Sequence, residues 1–169
     1  IDGELPVPAW LRSDADTRLS IVQSRALPDD AFRAAITATG ARIVGYLPEH
    51  AYVVHMAPGS ATALSRDAHV RWVGPYHPAY RLEPLLRAEL ERAGLGQATL
   101  PEARRYNLVV ADKRADKPAL ARRIHEIGGV VTHEQPGSLL FEVQLDGAQL
   151  LLAARFDEVL WIDRWSAPE

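Results

Sequence analysis

The sequence repeats itself. Shifted by about 88 residues, one half of the 169-residue chain falls into register with the other, and self-similarity at such a period means that one supersecondary unit is used twice. In the first copy, Leu19 to Gln23 alternates as a short strand, and Pro28, Asp29 and Asp30 open a helix whose Phe32, Ala35, Ile36 and Thr39 share a stripe. Gly40 ends that helix as a C′ glycine. Arg42 to Tyr46 and Ala51 to Met56 form a hairpin about Leu47-Pro48-Glu49-His50. Gly59 and Ser60 start a short helix carrying Ala61 and Leu64, and Val70 to Val73 is the closing strand.

The second copy takes the same steps. Tyr106, Leu108 and Val110 alternate in its opening strand, and Asp116 with Pro118 begins a helix that buries Leu120, Ile124 and Ile127. Gly128 stops it in register with Gly40. Val130 to His133 and Leu139 to Leu145 pair about Gln135-Pro136-Gly137-Ser138, which sets Pro136 on the position of Pro48. Asp146 with Gln149 reads as a capping box ahead of Leu150, Leu151 and Ala154. Val159 to Asp163 closes the unit, Trp161 matching Trp72 after one inserted residue.

Two helices and four strands in this order fold most economically as an antiparallel sheet with both helices on one face. The expected fold is therefore α+β, two tandem ferredoxin-like β-α-β-β-α-β modules. The expected boundaries are an extended arm over 1–17, a first module over 18–83, a partly helical linker over 84–103 and a second module over 104–169. In the stretch Ala79 to Arg104, Tyr80, Leu82, Leu85, Leu86 and Leu90 have roughly helical spacing and predict that the linker packs on one module. Residues 1–17, with Pro6, Pro8 and Trp10, lack periodicity.

A two-layer module satisfies only the helix-facing side of its sheet, so its strands should alternate apolar and polar where the other side meets water. The closing strands break that rule: Trp72 stands beside Val73, and Leu160 and Ile162 alternate with Val159 and Trp161. Val53 beside Val54 and Val109 beside Val110 add to the excess. One row feeds the core. The other is covered by the second module, the arm or the linker, or docks on another protein.

Charge excludes several partners. Lys and Arg number 19 against 22 Asp and Glu, so no basic field gathers phosphates along a nucleic acid or an anionic membrane. The chain has no cysteine, which removes disulfides, thiol nucleophiles and cysteine metal sites, and no apolar run approaches a membrane span. A start at Ile1 without a signal peptide reads as a processed or trimmed chain. No cofactor is expected. His125-Glu126 and His133-Glu134 lack the spacing that sets two imidazoles on one helical face, and His50, His55, His69 and His77 are read as solvated or locally bonded. Ferredoxin-like modules also host acylphosphatase chemistry and RNA binding. Arg25 and Lys113 lie near the phosphate-loop position without its glycines, and Trp72 and Trp161 are on closing rather than central strands. Arg104-Arg105 is a candidate processing site or, more ordinarily, a solvated pair opening a strand.

The stretch AYVVHMAPGSATALSRDAHVRWVGPYHPAY, Ala51 to Tyr80, resembles the second half of the propeptide of subtilisin-like serine peptidases, in which a strand, a short helix and a final V-x-x-V-E strand precede the cleavage point. SLLFEVQLDGAQLLLAARFDEVLWIDRW resembles it again. With the duplication, the chain is similar to the N-terminal propeptide region of large bacterial secreted subtilases. The resemblance implies that an open sheet face lies on two parallel protease helices, that an acidic pair at the end of the closing strand caps their N-termini, and that the following tail fills the substrate cleft. Asp163 falls at the first acid position and Trp165 at the second, whereas Gly74 and Tyr76 hold both in the first module.

The implied protease-binding surface is therefore Val159, Trp161, Asp163 and Trp165 of the second module. The chain is expected to be a non-catalytic prodomain, an intramolecular chaperone and transient inhibitor whose partner is a subtilisin-like catalytic domain, its own and C-terminal to this region. The implied location is secreted or extracytoplasmic. With the chain ending at Pro168-Glu169, short of a full cleft-filling tail, it is expected to dock and assist folding yet inhibit weakly. The alternative is a stand-alone protein-interaction or regulatory module of the same fold. No nucleic acid or membrane partner is expected.

Overall fold

A computed structural model describes residues 6–112, 114–134 and 137–166. The fold is α+β, with two antiparallel four-stranded sheets, each the base of a ferredoxin-like module. In the first, β1 (Leu19–Ser24), β2 (Arg42–Leu47), β3 (Ala51–His55) and β4 (Val70–Pro75) are ordered β2-β3-β1-β4. In the second, β5 (Arg104–Val110), β6 (Val130–Glu134), β7 (Leu140–Leu145) and β8 (Val159–Arg164) are ordered β6-β7-β5-β8. The helices are α1 (Asp30–Ala38) and α2 (Ser60–Leu64) in the first module, and α4 (Asp116–Glu126) and α5 (Gly147–Ala153) in the second. Between them runs α3 (Pro84–Gly94).

The local signals act as their chemistry requires. Asp29 accepts from the Phe32 N–H at 2.8 Å and caps α1, and Asp146 and Gln149 bond reciprocally at 2.8 and 2.9 Å at the start of α5, each satisfying helix N–H groups left without intrahelical partners. Gly40 and Gly128 follow α1 and α4 at φ +79° and +81°, the left-handed region that only glycine enters without cost. Phe32 and Ile36 in α1, and Leu120 and Ile124 in α4, are fully buried.

The repeat extends to the irregularities. The pairing of β2 with β3 shifts between Ile43 and Gly45, and that of β6 with β7 between Val131 and His133. The opening and closing strands shift between Gln23 and Ser24, and again between Val109 and Val110. Matching bulges place Trp72 opposite Gln23 and Trp161 opposite Val109, the same station in each module.

The chain divides into two units, 1–6 with 13–76 and 7–12 with 77–169. The core of the first joins Val22 and Val54 to Phe32, Ile36, Leu64 and Val70. On the other face of its sheet, Ile21, Gln23, Ala51 and Val53 are also buried. The second unit is larger than its β-α-β-β-α-β repeat. The segment expected as an extended arm forms a 3-10 turn, Ala9–Leu11, and Val7 and Leu11 enter the core of this unit. A second 3-10 turn, Pro78–Arg81, leads to Leu82, which bridges in parallel to Ile162 beside β8. Leu86 and Leu90 of α3 are buried among the second module's core residues, so the linker's apolar stripe packs there. Arg81 lies fully buried in this unit, its guanidinium donating to the Phe156 carbonyl at 2.7 Å and the Val159 carbonyl at 3.4 Å. Part of the turn from β6 to β7 (Gln135 and Pro136), Lys113 and the end at Pro168-Glu169 lie outside the described residues.

Candidate docking face of the second module

Alternation along β5 assigns its side chains. Tyr106, Leu108 and Val110 are buried against the helices, which leaves Arg105, Asn107 and Val109 on the opposite face. Register then builds rows across the sheet. Leu140, Val109 and Trp161 form an apolar row; His133, Glu142, Asn107 and Asp163 form a polar one; Val130, Gln144 and Arg105 form a third. Leu140 and Val130 are about half exposed, at 47% and 53%. Trp165 follows β8 and donates its N–H to the Arg105 carbonyl at 3.3 Å, and its indole lies 3.8 Å from the Arg105 guanidinium, a cation–π contact.

Three of the four residues singled out from the sequence meet on this face. Trp161 and Asp163 are half-buried, Trp165 continues the line of β8 beside Arg105, and all three help to line a shallow cavity of about 770 Å³ with Arg104, Arg105 and Glu83. Val159 does not join them. It is fully buried in the core, because the register shift at Val109/Val110 leaves Leu160 as the extra residue and sends Val159 to the helix side with Ile162. This corrects its expected place on the open face.

Asp163 is an acceptor without a donor. Its Oδ1 is shielded from solvent and has no hydrogen-bond partner among the described residues, a condition that costs free energy until a donor is supplied. The neighbouring Arg105 gives a terminal nitrogen to Glu142 at 2.5 Å, and its Nε is likewise buried without a hydrogen-bond partner among the described residues. In the sequence Arg105 reads only as a processing or solvated residue. Its alternation with Tyr106 and Leu108 is the signal that places it on the docking face, and both residues of the Arg104-Arg105 pair are held inside β5.

The first module differs at the matching station. The indole of Trp72 lies over Gly74, where a Cβ would fall 2.1 Å from a ring carbon, so no acid side chain fits there beside that tryptophan. Elsewhere, His69 Nδ1 sits 3.0 Å from Asp67 Oδ1 and His125 Nδ1 2.7 Å from the Ala121 carbonyl. The Asp67 carboxyl is held below its usual range, first by the His69 main-chain N–H and then by the His69 ring. Among the described residues, no three His, Asp or Glu side chains group so as to hold a metal ion, and no helix is long and apolar enough to cross a membrane.

One edge of the face is tied by Glu83, whose carboxylate receives the Arg164 guanidinium at 2.5 Å and the Arg164 main-chain N–H at 3.0 Å. The Arg164 side-chain hydrogen bond holds the Glu83 carboxyl below the ordinary glutamate value, against the opposing effect of burial. A depressed carboxyl contributes stability above its unfolded pKa and loses it as pH falls through the folded one. The contribution of this pair should therefore be fully present above about pH 5 and fade as pH falls below the ordinary glutamate value near 4.3. Glu83→Gln should remove part of that acid sensitivity at a cost of no more than about 1 kcal/mol at neutral pH, as measured by urea denaturation across pH.

A family model described as a domain of unknown function (DUF8729) matches residues 3–77, a span that takes in the first module and not the docking face. No curated protein and no solved structure matches the chain.

Proposed function

We propose that the chain is the prodomain of a subtilisin-like serine protease, an intramolecular chaperone and transient inhibitor that docks through the open sheet face of its second module. The observation that carries this reading is the unpartnered Asp163 acceptor set between Trp161 and Trp165 on a half-exposed sheet face. Turned outward on docking, this carboxylate suits the N-terminus of a partner helix, where unpaired N–H groups and the positive end of the helix dipole meet it. Flanking indoles supply the rigid apolar area on which interface energy concentrates. The apolar row of Leu140, Val109 and Trp161 extends that contact across three strands. The sequence resemblance supplies the class of partner, and secretion with the protease is inferred from it.

The test is titration of the purified chain into a mature subtilisin-like protease, with binding and residual activity followed together. Trp161→Ala and Asp163→Ala should each weaken binding at least tenfold, the ordinary size of a hot-spot loss, while leaving the fold intact because neither side chain enters the core. Unchanged affinity in both variants would remove the docking face. Failure of the native chain to bind any such protease would leave a stand-alone interaction module of the same fold.

A further inference from the structure

We propose that the segment Gln97–Leu100 is a cleavage site for an endopeptidase, and that the cut converts the second unit into two chains that stay associated. The segment is separate from the docking face and needs no partner there. From Gly94 to Leu100 every residue is exposed, the longest such run among the described residues, and no regular structure intervenes between the end of α3 and Arg104. The Gln97 N–H still bonds back to the Arg92 carbonyl, and the Pro101 carbonyl accepts from Gly147. Between those anchors Ala98, Thr99 and Leu100 make no main-chain hydrogen bond among the described residues. An endopeptidase binds its substrate as an extended strand, so a segment that gives up no internal hydrogen bonds enters the cleft at the lowest cost. The hairpin tip at Pro48–His50 is exposed too, but it is short and the paired Leu47 and Ala51 close it on both sides.

Hydrolysis consumes one water, leaving a carboxylate on the upstream fragment and an ammonium on the downstream one. Whether the two fragments part is decided by the core. The upstream fragment contributes Val7, Leu11, Leu82, Leu86 and Leu90, all buried with Tyr106, Leu108 and Ile162 of the downstream fragment. Polar ties cross in the same direction: Arg81 to the Phe156 carbonyl, Glu83 to Arg164, and Arg155 to the carbonyls of Trp10 and Arg12, both at 2.8 Å. None of these groups lies near the cut bond in sequence. The nick therefore removes a covalent link and keeps the packing, and the stability of the unit becomes dependent on fragment concentration.

The experiment treats the native chain with low amounts of subtilisin and, separately, of thermolysin. Denaturing mass spectrometry should show one pair of early fragments, divided between Gln97 and Pro101, whose masses sum to the chain plus one water. Under native conditions the pair should elute from gel filtration as a single species at the position of the uncut chain. An Ala98→Pro/Thr99→Pro double variant should slow the first cut at least tenfold. A first cut elsewhere, resistance to both proteases, or fragments that separate under native conditions would each overturn the proposal.

Discussion

Replacing Arg81 with methionine is expected to lower the stability of the second unit by about 3 kcal/mol. Methionine keeps much of the unbranched stem, so the cavity contribution is small. The loss is that of the donor. Arg81 is completely buried and its guanidinium reaches the Phe156 carbonyl at 2.7 Å and the Val159 carbonyl at 3.4 Å. Without it, the Phe156 carbonyl keeps only the Val159 N–H at 3.0 Å, and the Val159 carbonyl loses the guanidinium. Removal of a buried charge relieves a desolvation cost, which sets a limit on the loss, but the lost charged hydrogen bonds and the detached Pro78–Arg81 turn outweigh it. Arg81→Lys, with a single point of charge in place of a planar fork, should recover less than half. Amide hydrogen exchange, read residue by residue, separates the units: protection should fall in β5 and β8 and hold in β1. A loss under about 1 kcal/mol would show that the guanidinium serves only to fill space.

Gly74→Asp should destabilise the first unit by about 2 kcal/mol, the usual scale of overpacking. The substitution gives the first module the acid that the second carries at Asp163, yet the Cβ would stand 2.1 and 2.3 Å from two ring carbons of Trp72. Trp72 must then leave its place. Trp72→Ala opens that space, so the double variant Trp72→Ala/Gly74→Asp should be more stable than the sum of the two single changes allows. Denaturation of all three variants in urea closes the cycle. Additive losses would mean that the Trp72 ring has another low-energy position, and that the first module is free to carry an acid.

The parts of the fold legible in the sequence are those decided within a few residues. The α1 stripe of Phe32 and Ile36, the Asp146–Gln149 capping box and the glycines after α1 and α4 arise from local geometry, and the structure has them where the pattern puts them. Longer-range facts are not legible. The run Val159-Leu160-Trp161-Ile162 is apolar throughout, so sequence shows two apolar rows without showing that Leu160 is the extra residue; only pairing with β5 settles that and buries Val159. The stripe of Leu82, Leu86 and Leu90 predicts a packed helix, but an apolar stripe does not name the surface it covers. Val7 and Leu11 are too few to show a period. Arg81 looks like any surface arginine, since nothing in its neighbours announces that its guanidinium reaches the Phe156 carbonyl far along the chain.

The second unit leaves its own chain at Arg12 and resumes it at His77, and this interruption sets an order of folding. The ends of the first unit's main segment meet at Ser13 and Tyr76, 63 residues apart, whereas the second unit joins Trp10 to Arg155 across 145 residues. Short separations close first. Once the first unit has formed, the Ser13 hydroxyl lies 3.3 Å from the Tyr76 carbonyl, so the segments continuing from those two residues emerge side by side. A loop that would have been closed from the random state is closed in advance, which lowers its entropy cost by on the order of 2–3 kcal/mol on logarithmic scaling. During synthesis the Ser13–Tyr76 contact thus brings Arg12 and His77 out together, well before β8, the last strand of the second unit's core, emerges.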